Sequence, residues 1–223
     1  MCGRFTLTID PGDLQEVFPD VQIPSGFSPR FNIAPTQPVA VISNAVPDRL
    51  DFYTWGLIPS WAKDPEIGNR MINARAETLA EKPSFRTALR RRRCLILADG
   101  FYEWRQVPDS KGKIPTFIHL KDHRPFAFAG LWELWNAPDG SQIYSCTIIT
   151  TQPNELMQTI HNRMPVILPK ASYSRWLDPA ERQPADLADL LVSYPASEMA
   201  AYPVSRLVNS PQVDTPACIQ PVQ

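Results

Sequence analysis

The sequence is poor in several residue types whose abundance marks a special class of protein. Cysteine occurs four times and glycine nine times in 223 residues. None of the cysteines forms a C-x-x-C pair or has a histidine at zinc-ligand spacing, so the sequence predicts neither a disulfide framework nor a structural metal. Proline is frequent, at 24 residues, but proline and glycine together remain below the content of a disordered chain.

The sequence also lacks long hydrophobic runs and an excess of charge of either sign. No stretch approaches 18 consecutive apolar residues and no basic-then-apolar leader opens the chain, so we expect no membrane association and a cytoplasmic location. With 43% apolar residues and a formal net charge of −1, residues 1–223 are predicted to form a single globular domain. We expect it to be a monomer.

Short β-rich runs bounded by prolines indicate a sheet core rather than a helical bundle. Strands are predicted at 38–43, 50–57, 71–76, 94–98, 101–106, 115–120, 126–132, 143–150, 161–168 and 204–208. Helices are predicted at 10–18, 83–91, 151–160, 170–177 and 185–192. This pattern predicts an α+β fold with a β-rich, barrel-like or sandwich-like sheet core and short peripheral helices. An extended C-terminal tail is expected over about 210–223.

Arginine is unevenly distributed along the chain. It outnumbers lysine sixteen to six, and residues 61–105 carry ten basic against six acidic side chains. The planar guanidinium suits bidentate contact with phosphate and stacking on flat rings. The arginine run at 90–93 is either a patch that follows a phosphate backbone or the solvated end of a helix, and its pattern does not decide between them.

Cys2 directly follows the initiator methionine, and a small residue at this position generally allows Met1 to be removed. A terminal cysteine carries a free amine and a thiol, with ordinary pKa values of about 7.7–8.0 and about 8.5. The amine can act as the base for the thiol in acyl transfer, or both groups can capture an aldehyde as a five-membered thiazolidine ring. Position alone favours the simpler interpretation that the start codon placed Cys2 there.

Two polar side chains interrupt otherwise apolar or aromatic strands. Period-two alternation puts Asn73 and Arg75 on one face, where an amide beside a guanidinium can hold an oxyanion or a phosphate. Glu103 lies between Tyr102 and Trp104, and desolvation there would raise its pKa and suit it to general acid catalysis. The alternatives are an exposed strand face for Asn73 and a salt bridge at a sheet edge for Glu103.

His161 and Trp61 are further candidates outside the regular strands. Of the three histidines, His161 is the best placed for proton transfer near neutral pH, because it follows an apolar helix end and precedes N-R-M-P. A helix C-terminus also favours histidine through its dipole, so a structural role stays open. Trp61 closes the segment W-G-L-I-P-S-W, where a tryptophan stacks on an unpaired base or serves as a core or lid residue.

Seven segments taken together are far more specific than any one of them. They are MCGRF at 1–5, NIAP at 32–35, WGLIPSW at 55–61, INARAET at 72–78, ADGFYEW at 98–104, IHNRMP at 160–165 and PVS at 203–205. In this order they resemble the SOS response-associated peptidase (SRAP) family, over residues 2 to about 209. The resemblance implies a compact β-rich fold with a basic groove for single-stranded DNA and covalent capture of abasic sites, whose opened sugar presents an aldehyde.

Matched position by position, the resemblance implies four catalytic residues. Cys2 would be the nucleophile through both its amine and its sulfur, and Asn73 would position the terminus and the sugar. Glu103 would act as acid and base in ring opening and imine formation. His161 would assist proton transfer in making or reversing the link.

The resemblance also implies contacts to DNA. Arg4, Arg75 and Arg163 would contact phosphates or shape the pocket, and Trp61 would lie along the DNA path. No metal and no cofactor is implied, and the expected partner is single-stranded DNA that contains abasic sites. A bacterial protein of this kind would be associated with the nucleoid.

Three functions are therefore weighed. The leading one is an abasic-site sensor that forms a covalent thiazolidine DNA–protein crosslink through Cys2, shields the lesion during the SOS response to DNA damage, and has weak lyase activity through β-elimination of the imine. The second is a cysteine peptidase (a hydrolase) that uses Cys2 as nucleophile and removes its own Met1. The third is a non-covalent binding module for single-stranded or modified DNA.

Overall fold

The computed structural model describes residues 2–24, 26–107 and 112–222. The strands are β1 Phe5–Leu7, β2 Arg30–Ile33, β3 Pro38–Ser43, β4 Val46–Trp55, β5 Asn73–Arg75, β6 Arg93–Ala98, β7 Gly100–Gln106, β8 Lys113–Leu120, β9 Phe126–Asn136, β10 Gln142–Thr151, β11 Met164–Pro165, β12 Ile167–Leu168 and β13 Met199–Pro203. The α-helices are α1 Pro11–Val17, α2 Arg86–Arg91, α3 Glu155–Gln158 and α4 Tyr173–Trp176. No helix in these ranges is long and apolar enough to cross a membrane.

Five strands close into a barrel. Antiparallel pairing joins β4 to β3, β3 to β6, β6 to β9 and β9 to β10, and parallel pairing of β10 with β4 completes the ring. β5 and β11 add to β10, and β12 adds to β9. Closure satisfies the backbone groups that an open sheet would leave at its edges. The predicted α+β fold with a barrel-like core is confirmed.

A second sheet of five antiparallel strands packs beside the barrel, in the order β13, β8, β7, β1, β2. Its strands β1 and β7 pair Phe5 with Phe101 and Thr6 with Gly100. Glycine is required at position 100, because a Cβ there would lie 2.2 Å from the Phe117 ring. The amino-terminal strand is therefore an interior strand of this sheet, with β7 on one side and β2 on the other.

Aromatic rings fill the space between the two sheets. Phe5 lies edge-on to Trp55 at 5.0 Å and to Phe128 at 5.7 Å between ring centroids, and Phe101 meets Phe128 at 6.0 Å. All four side chains are buried. Pairs of this geometry contribute about 0.5–1.5 kcal/mol beyond the burial of their surface. Because Phe5 belongs to this cluster, the core holds the chain three residues after Cys2.

The structure differs from the predicted elements at three strands and at one helix, since the helix predicted at 185–192 is a 3-10 helix at Pro184–Leu190. β1 and β2 were not predicted, because strands of three and four residues are too short to show a period-two pattern. The last strand was predicted at 204–208, which is wrong: β13 ends at Pro203. The Ser205 hydroxyl then accepts the Leu207 N–H and starts a 3-10 turn at Arg206–Asn209, which ends the extended backbone.

The sequence analysis expected an extended C-terminal tail over about 210–223. In the structure this segment packs against the body of the protein. Val208 and Cys218 are buried in a small second core together with Tyr102, Phe117 and Val204. The Asp214 carboxylate accepts the Phe31 N–H at 2.6 Å and the Asn32 N–H at 3.0 Å. These contacts join residues far apart in sequence, so no local pattern announces them. Gln223 lies outside the described residues.

Asp99 fastens β1 to the turn between β6 and β7. One carboxylate oxygen accepts the Thr8 N–H at 2.5 Å and the Thr8 hydroxyl at 2.6 Å, and the other accepts the Thr6 hydroxyl at 2.5 Å. Hydrogen bonds to a charged acceptor are stronger than neutral ones. Asp99 therefore fixes the carboxyl end of β1 while Phe5 fixes its amino end.

We expect Asp99→Ala to lower the free energy of unfolding by about 2–3 kcal/mol, since three donors lose a charged acceptor. Urea unfolding of the variant and of the natural protein measures this difference. Asp20→Ala, at an exposed position, is the matched control and should change stability by less than about 0.5 kcal/mol. Equal stability of the two variants would show that Asp99 does not fasten β1.

Candidate active site

The pairing of β1 with β7 carries the amino-terminal segment toward Glu103. The Tyr102 N–H donates to the Arg4 carbonyl at 2.9 Å, one step beyond the Phe5–Phe101 pair. Continuing in the same direction brings Cys2 alongside the next residues of β7. Cys2 is fully buried, and its Sγ lies 3.8 Å from the Arg4 carbonyl oxygen. Met1, whose removal was expected, lies outside the described residues.

Asn73 holds the backbone of Cys2 from the opposite side. Parallel pairing of β5 with β10 sets Asn73 beside Ile148. Its Nδ2 donates to the Cys2 carbonyl oxygen at 2.7 Å, and its Oδ1 is buried without a hydrogen-bond partner among the described residues. The exposed strand face considered for Asn73 is therefore not what the structure shows. The same Asn73 amide thus binds the Cys2 carbonyl with its nitrogen and places an acceptor oxygen close to the Cys2 backbone.

Glu103 is a buried carboxyl group near the thiol. Its side chain is 3% exposed, and β7 is an interior strand, so the sheet-edge alternative does not apply. Burial raises the pKa of Glu103, and the charge of His161 opposes that shift. Burial raises the pKa of the Cys2 thiol, and the charge of Glu103 raises it further. The Cys2 sulfur is therefore held as a thiol at neutral pH.

His161 completes the group from the segment between α3 and β11. The N–H and the carbonyl oxygen of Arg163 lie 3.1 and 3.3 Å from Nδ1 of His161, so the backbone of Arg163 fixes the position of the ring. The charge of His161 lowers the pKa of Glu103 and the charge of Glu103 raises that of the Cys2 thiol, as expected for side chains within range of one another's charges. The structure thus brings together all four residues predicted to be catalytic.

Two of the four residues predicted to bind DNA point outward. Arg75 is exposed on β5, two residues from Asn73. Trp61 is 59% exposed and lines a surface cavity of about 660 Å³ together with Lys63, Asn69 and Arg70. Trp55, at the start of the same segment, is fully buried and donates its indole N–H to the Ile72 carbonyl at 2.9 Å.

Arg4 and Arg163, the other two residues predicted to bind DNA, form contacts within the chain. Arg4 donates to the Asn32 Oδ1 at 2.9 Å and to the Val208 carbonyl at 2.7 Å, and it lies 5.9 Å from the centre of the Trp104 ring. Arg163 is buried, and its guanidinium forms a fork with the Glu77 carboxylate at 2.6 and 2.8 Å. These arrangements suit shaping of the pocket, one of the two roles considered for each.

The arginine run at 90–93 is explained by contacts within the chain. Arg90 and Arg91 pair with Glu181, and Arg92 pairs with Glu133. Arg93 is fully buried, and its guanidinium donates to the main-chain carbonyls of Leu89, Arg90, Trp176, Asp178 and Ala180. The end of α2 is therefore fixed to the segment around residues 176–181. Because all four arginines have partners within the chain, these contacts do not support a patch that follows a phosphate backbone.

Sequence reasoning missed the residues that support the site. Asn32 receives Arg4 and donates to the carbonyls of Val208, Ser210 and Val213. The only signal was its place in the NIAP segment. Among residues 2–24, 26–107 and 112–222, no three His, Cys, Asp or Glu side chains lie close enough to hold a metal ion.

Comparison with known proteins identifies the family. The family model for SOS response associated peptidase (SRAP) matches residues 1–211. The chain belongs to the SRAP family. One relative, the abasic site processing protein YoqW of Bacillus subtilis (strain 168), is 52% identical over 223 residues and matches 99% of each chain. Another, the abasic site processing protein HMCES of Gallus gallus, is 36% identical over 76% of this chain and 56% of its own length.

Solved structures show the same architecture for this SRAP protein. A protein from Bacteroides thetaiotaomicron superimposes with a TM-score of 0.89 and 28% sequence identity, over 100% of both chains. A protein from Bordetella bronchiseptica gives a TM-score of 0.76 at 26% identity, over 92% of this chain and 100% of that one. The barrel and its second sheet are thus a shared fold.

The burial of Glu103 predicts a pH dependence of stability. Because its folded pKa lies above the ordinary value of 4.5, the native state binds more protons than the unfolded state between those two values, and stability falls as pH rises through that window. Glu103→Gln removes this loss, so the variant should gain stability relative to the natural protein between pH 4 and pH 7.

Urea unfolding at pH 4 and at pH 7 measures this gain, which should be larger at pH 7. Glu66→Gln removes a carboxylate from an exposed position and serves as the matched control. A Glu103→Gln variant whose advantage is the same at pH 4 and pH 7 would contradict the argument.

Proposed function

We propose that this protein captures abasic sites in single-stranded DNA by forming a thiazolidine between Cys2 and the ring-opened sugar. The observation that carries the proposal is the grouping of Cys2, Asn73, Glu103 and His161 in one buried site. The names of the relatives, abasic site processing proteins, support the same substrate. After loss of Met1, the amine of Cys2 would lie within this group.

The condensation balances without a cofactor. The Cys2 amine adds to the C1′ aldehyde of the open sugar, and the resulting carbinolamine loses one water to give an imine. The thiol then adds to the imine carbon, and its proton passes to the imine nitrogen. The net change is the loss of one water and the formation of one C–N and one C–S bond, with no change in oxidation state.

The protonation states of the site suit this order of events. Burial raises the pKa of Glu103, so its protonated form is more populated than that of an exposed glutamate and can assist departure of the sugar ring oxygen and of the carbinolamine hydroxyl. Nε2 is the nitrogen of His161 that we assign to proton transfer, since Nδ1 contacts the backbone of Arg163. The amide of Asn73 holds the Cys2 carbonyl and offers Oδ1 to a donor such as the amine or a sugar hydroxyl.

The raised pKa of the thiol distinguishes this chemistry from proteolysis. A cysteine peptidase attacks with a thiolate, which needs a lowered thiol pKa. In the thiazolidine route the amine attacks first, and the sulfur reacts later with a strongly electrophilic imine. The same imine can lose the 3′ phosphate by β-elimination, so weak lyase activity accompanies capture.

Exposed basic and aromatic groups offer a path for the strand. Arg75 follows Asn73 on β5, and the cavity at Trp61 adds Lys63 and Arg70 as cations and an indole for base stacking. Phosphate contacts would hold the sugar against Cys2 and make the condensation effectively intramolecular. We place this activity in the SOS response to DNA damage, at the nucleoid of the cytoplasm.

Intact-mass measurement tests the proposal directly. Incubation with a single-stranded oligonucleotide that carries one abasic site should convert the protein that begins at Cys2 into a heat- and detergent-resistant adduct, lighter by one water than the sum of its parts. An oligonucleotide with every base present is the control and should give none.

Cys2→Ala should abolish the adduct, and so should any amino-terminal extension that stays attached, while the thermal unfolding of both proteins remains cooperative. An adduct that survives Cys2→Ala would sink the proposal. Turnover of an added peptide by the natural protein, with no adduct to abasic DNA, would favour the peptidase instead.

A further inference from the structure

Glu77 shields the guanidinium of Arg163 from solvent. Its two oxygens accept from the two terminal nitrogens of Arg163 at 2.6 and 2.8 Å, and Gln152 Nε2 donates to the same carboxylate at 3.2 Å. The Arg163 side chain is 10% exposed, whereas that of Glu77 is 43% exposed. The cation is thus the fixed partner of this pair, and the carboxylate is its outer cover.

The pair lies next to the candidate active site. On β10, Thr150 is paired with Arg75 of β5 on one side and with Pro165 of β11 on the other. The Thr150 carbonyl accepts Arg163 at 2.7 Å, and the Arg163 N–H donates to His161. Two arginines therefore flank Thr150, one exposed and one covered by Glu77.

A carboxylate and a phosphate offer a guanidinium fork the same geometry. Both present two oxygens that accept a pair of parallel N–H bonds, and the phosphate of a nucleic-acid strand brings its own charge to the exchange. Because the Thr150 carbonyl keeps Arg163 in place, replacing Glu77 with another anion requires no movement of the cation. Glu77 itself can turn outward into solvent.

We propose that Glu77 occupies the phosphate position of Arg163 in the free protein and is displaced by a backbone phosphate when single-stranded DNA docks. The proposal rests on the proposed function in so far as the anionic strand is DNA. It assigns Glu77 a role in selectivity, because the carboxylate opposes binding of any strand that does not bring a phosphate to Arg163. A strand seated well enough to bring a phosphate to Arg163 overcomes it.

Non-covalent binding of an intact oligothymidylate, about 15 nucleotides long to span a typical single-strand site, tests this by fluorescence anisotropy. Glu77→Gln should bind about 3- to 10-fold more tightly than the natural protein, as expected for removal of one competing charge. Glu81→Gln changes the net charge equally at an exposed position four residues away, and should shift the dissociation constant less than about 2-fold.

A second background locates the effect at Arg163. In an Arg163→Gln chain, adding Glu77→Gln should give no further tightening, because the covered cation is gone. If that chain does not fold, as judged by thermal unfolding, the comparison of Glu77→Gln with Glu81→Gln decides alone. Weaker binding by Glu77→Gln would mean that Glu77 positions Arg163 instead of competing for it, and equal effects at residues 77 and 81 would reduce it to net charge; either result overturns the proposal.

These outcomes are separable from those of the capture experiment. An adduct that requires Cys2, together with unchanged oligothymidylate binding by Glu77→Gln, would leave the proposed function standing and remove the role of Glu77. Tighter binding by Glu77→Gln without any adduct from the natural protein would do the reverse.

Discussion

The antiparallel pairing of β1 with β7 is the contact on which the candidate site depends. Chain ends normally fray, because their backbone groups are solvated and few side chains hold them. Here the residue of greatest chemical interest is the second of the chain, so its position must be secured by neighbours on its carboxyl side and by distant segments. Three contacts hold this segment in place: the packing of Phe5 in the core, the hydrogen bonds of Asp99 at the carboxyl end of β1, and the hydrogen bond of Asn73 to the Cys2 carbonyl. Without them the thiol, the carboxyl and the imidazole would not share a site.

The same packing sets the chemical state of the site. Burial disfavours charge, so the pKa values of Glu103 and of the Cys2 thiol both rise. A hydrolase that needs a thiolate gains nothing from this environment. A condensation that first removes water and then closes a ring through a neutral thiol is compatible with it. Among the described residues, Oδ1 of Asn73 is buried without a hydrogen-bond partner, and a buried polar atom of this kind calls for an explanation.

Sequence reasoning predicted the features that depend on local pattern. The barrel strands alternate or run apolar over six or more residues, and the helix at Pro11–Val17 has Asp10 and Pro11 at its start. The four residues implied by the family resemblance lie in one site, and each of them belongs to a motif that is recognisable in the sequence. The features that escaped prediction depend on distant partners. β1 and β2 are strands only because β7 lies between β1 and β8, and Arg93 is buried only because five carbonyls from two segments converge on it. The cover that Glu77 provides for Arg163 joins residues 86 positions apart.

The contact of Arg4 with the carbonyl of Val208 has a consequence for the order in which the protein matures. It links residues 204 positions apart, and Asn32 ties the same carbonyl into the segment that ends at Val213. During synthesis, Arg4 can therefore gain this contact only after residue 208 has been made, whereas the partners of the same segment at Asn73, Asp99 and Phe101 are available much earlier. The segment that carries Cys2 is thus held both by early partners and by one of the last parts of the described chain.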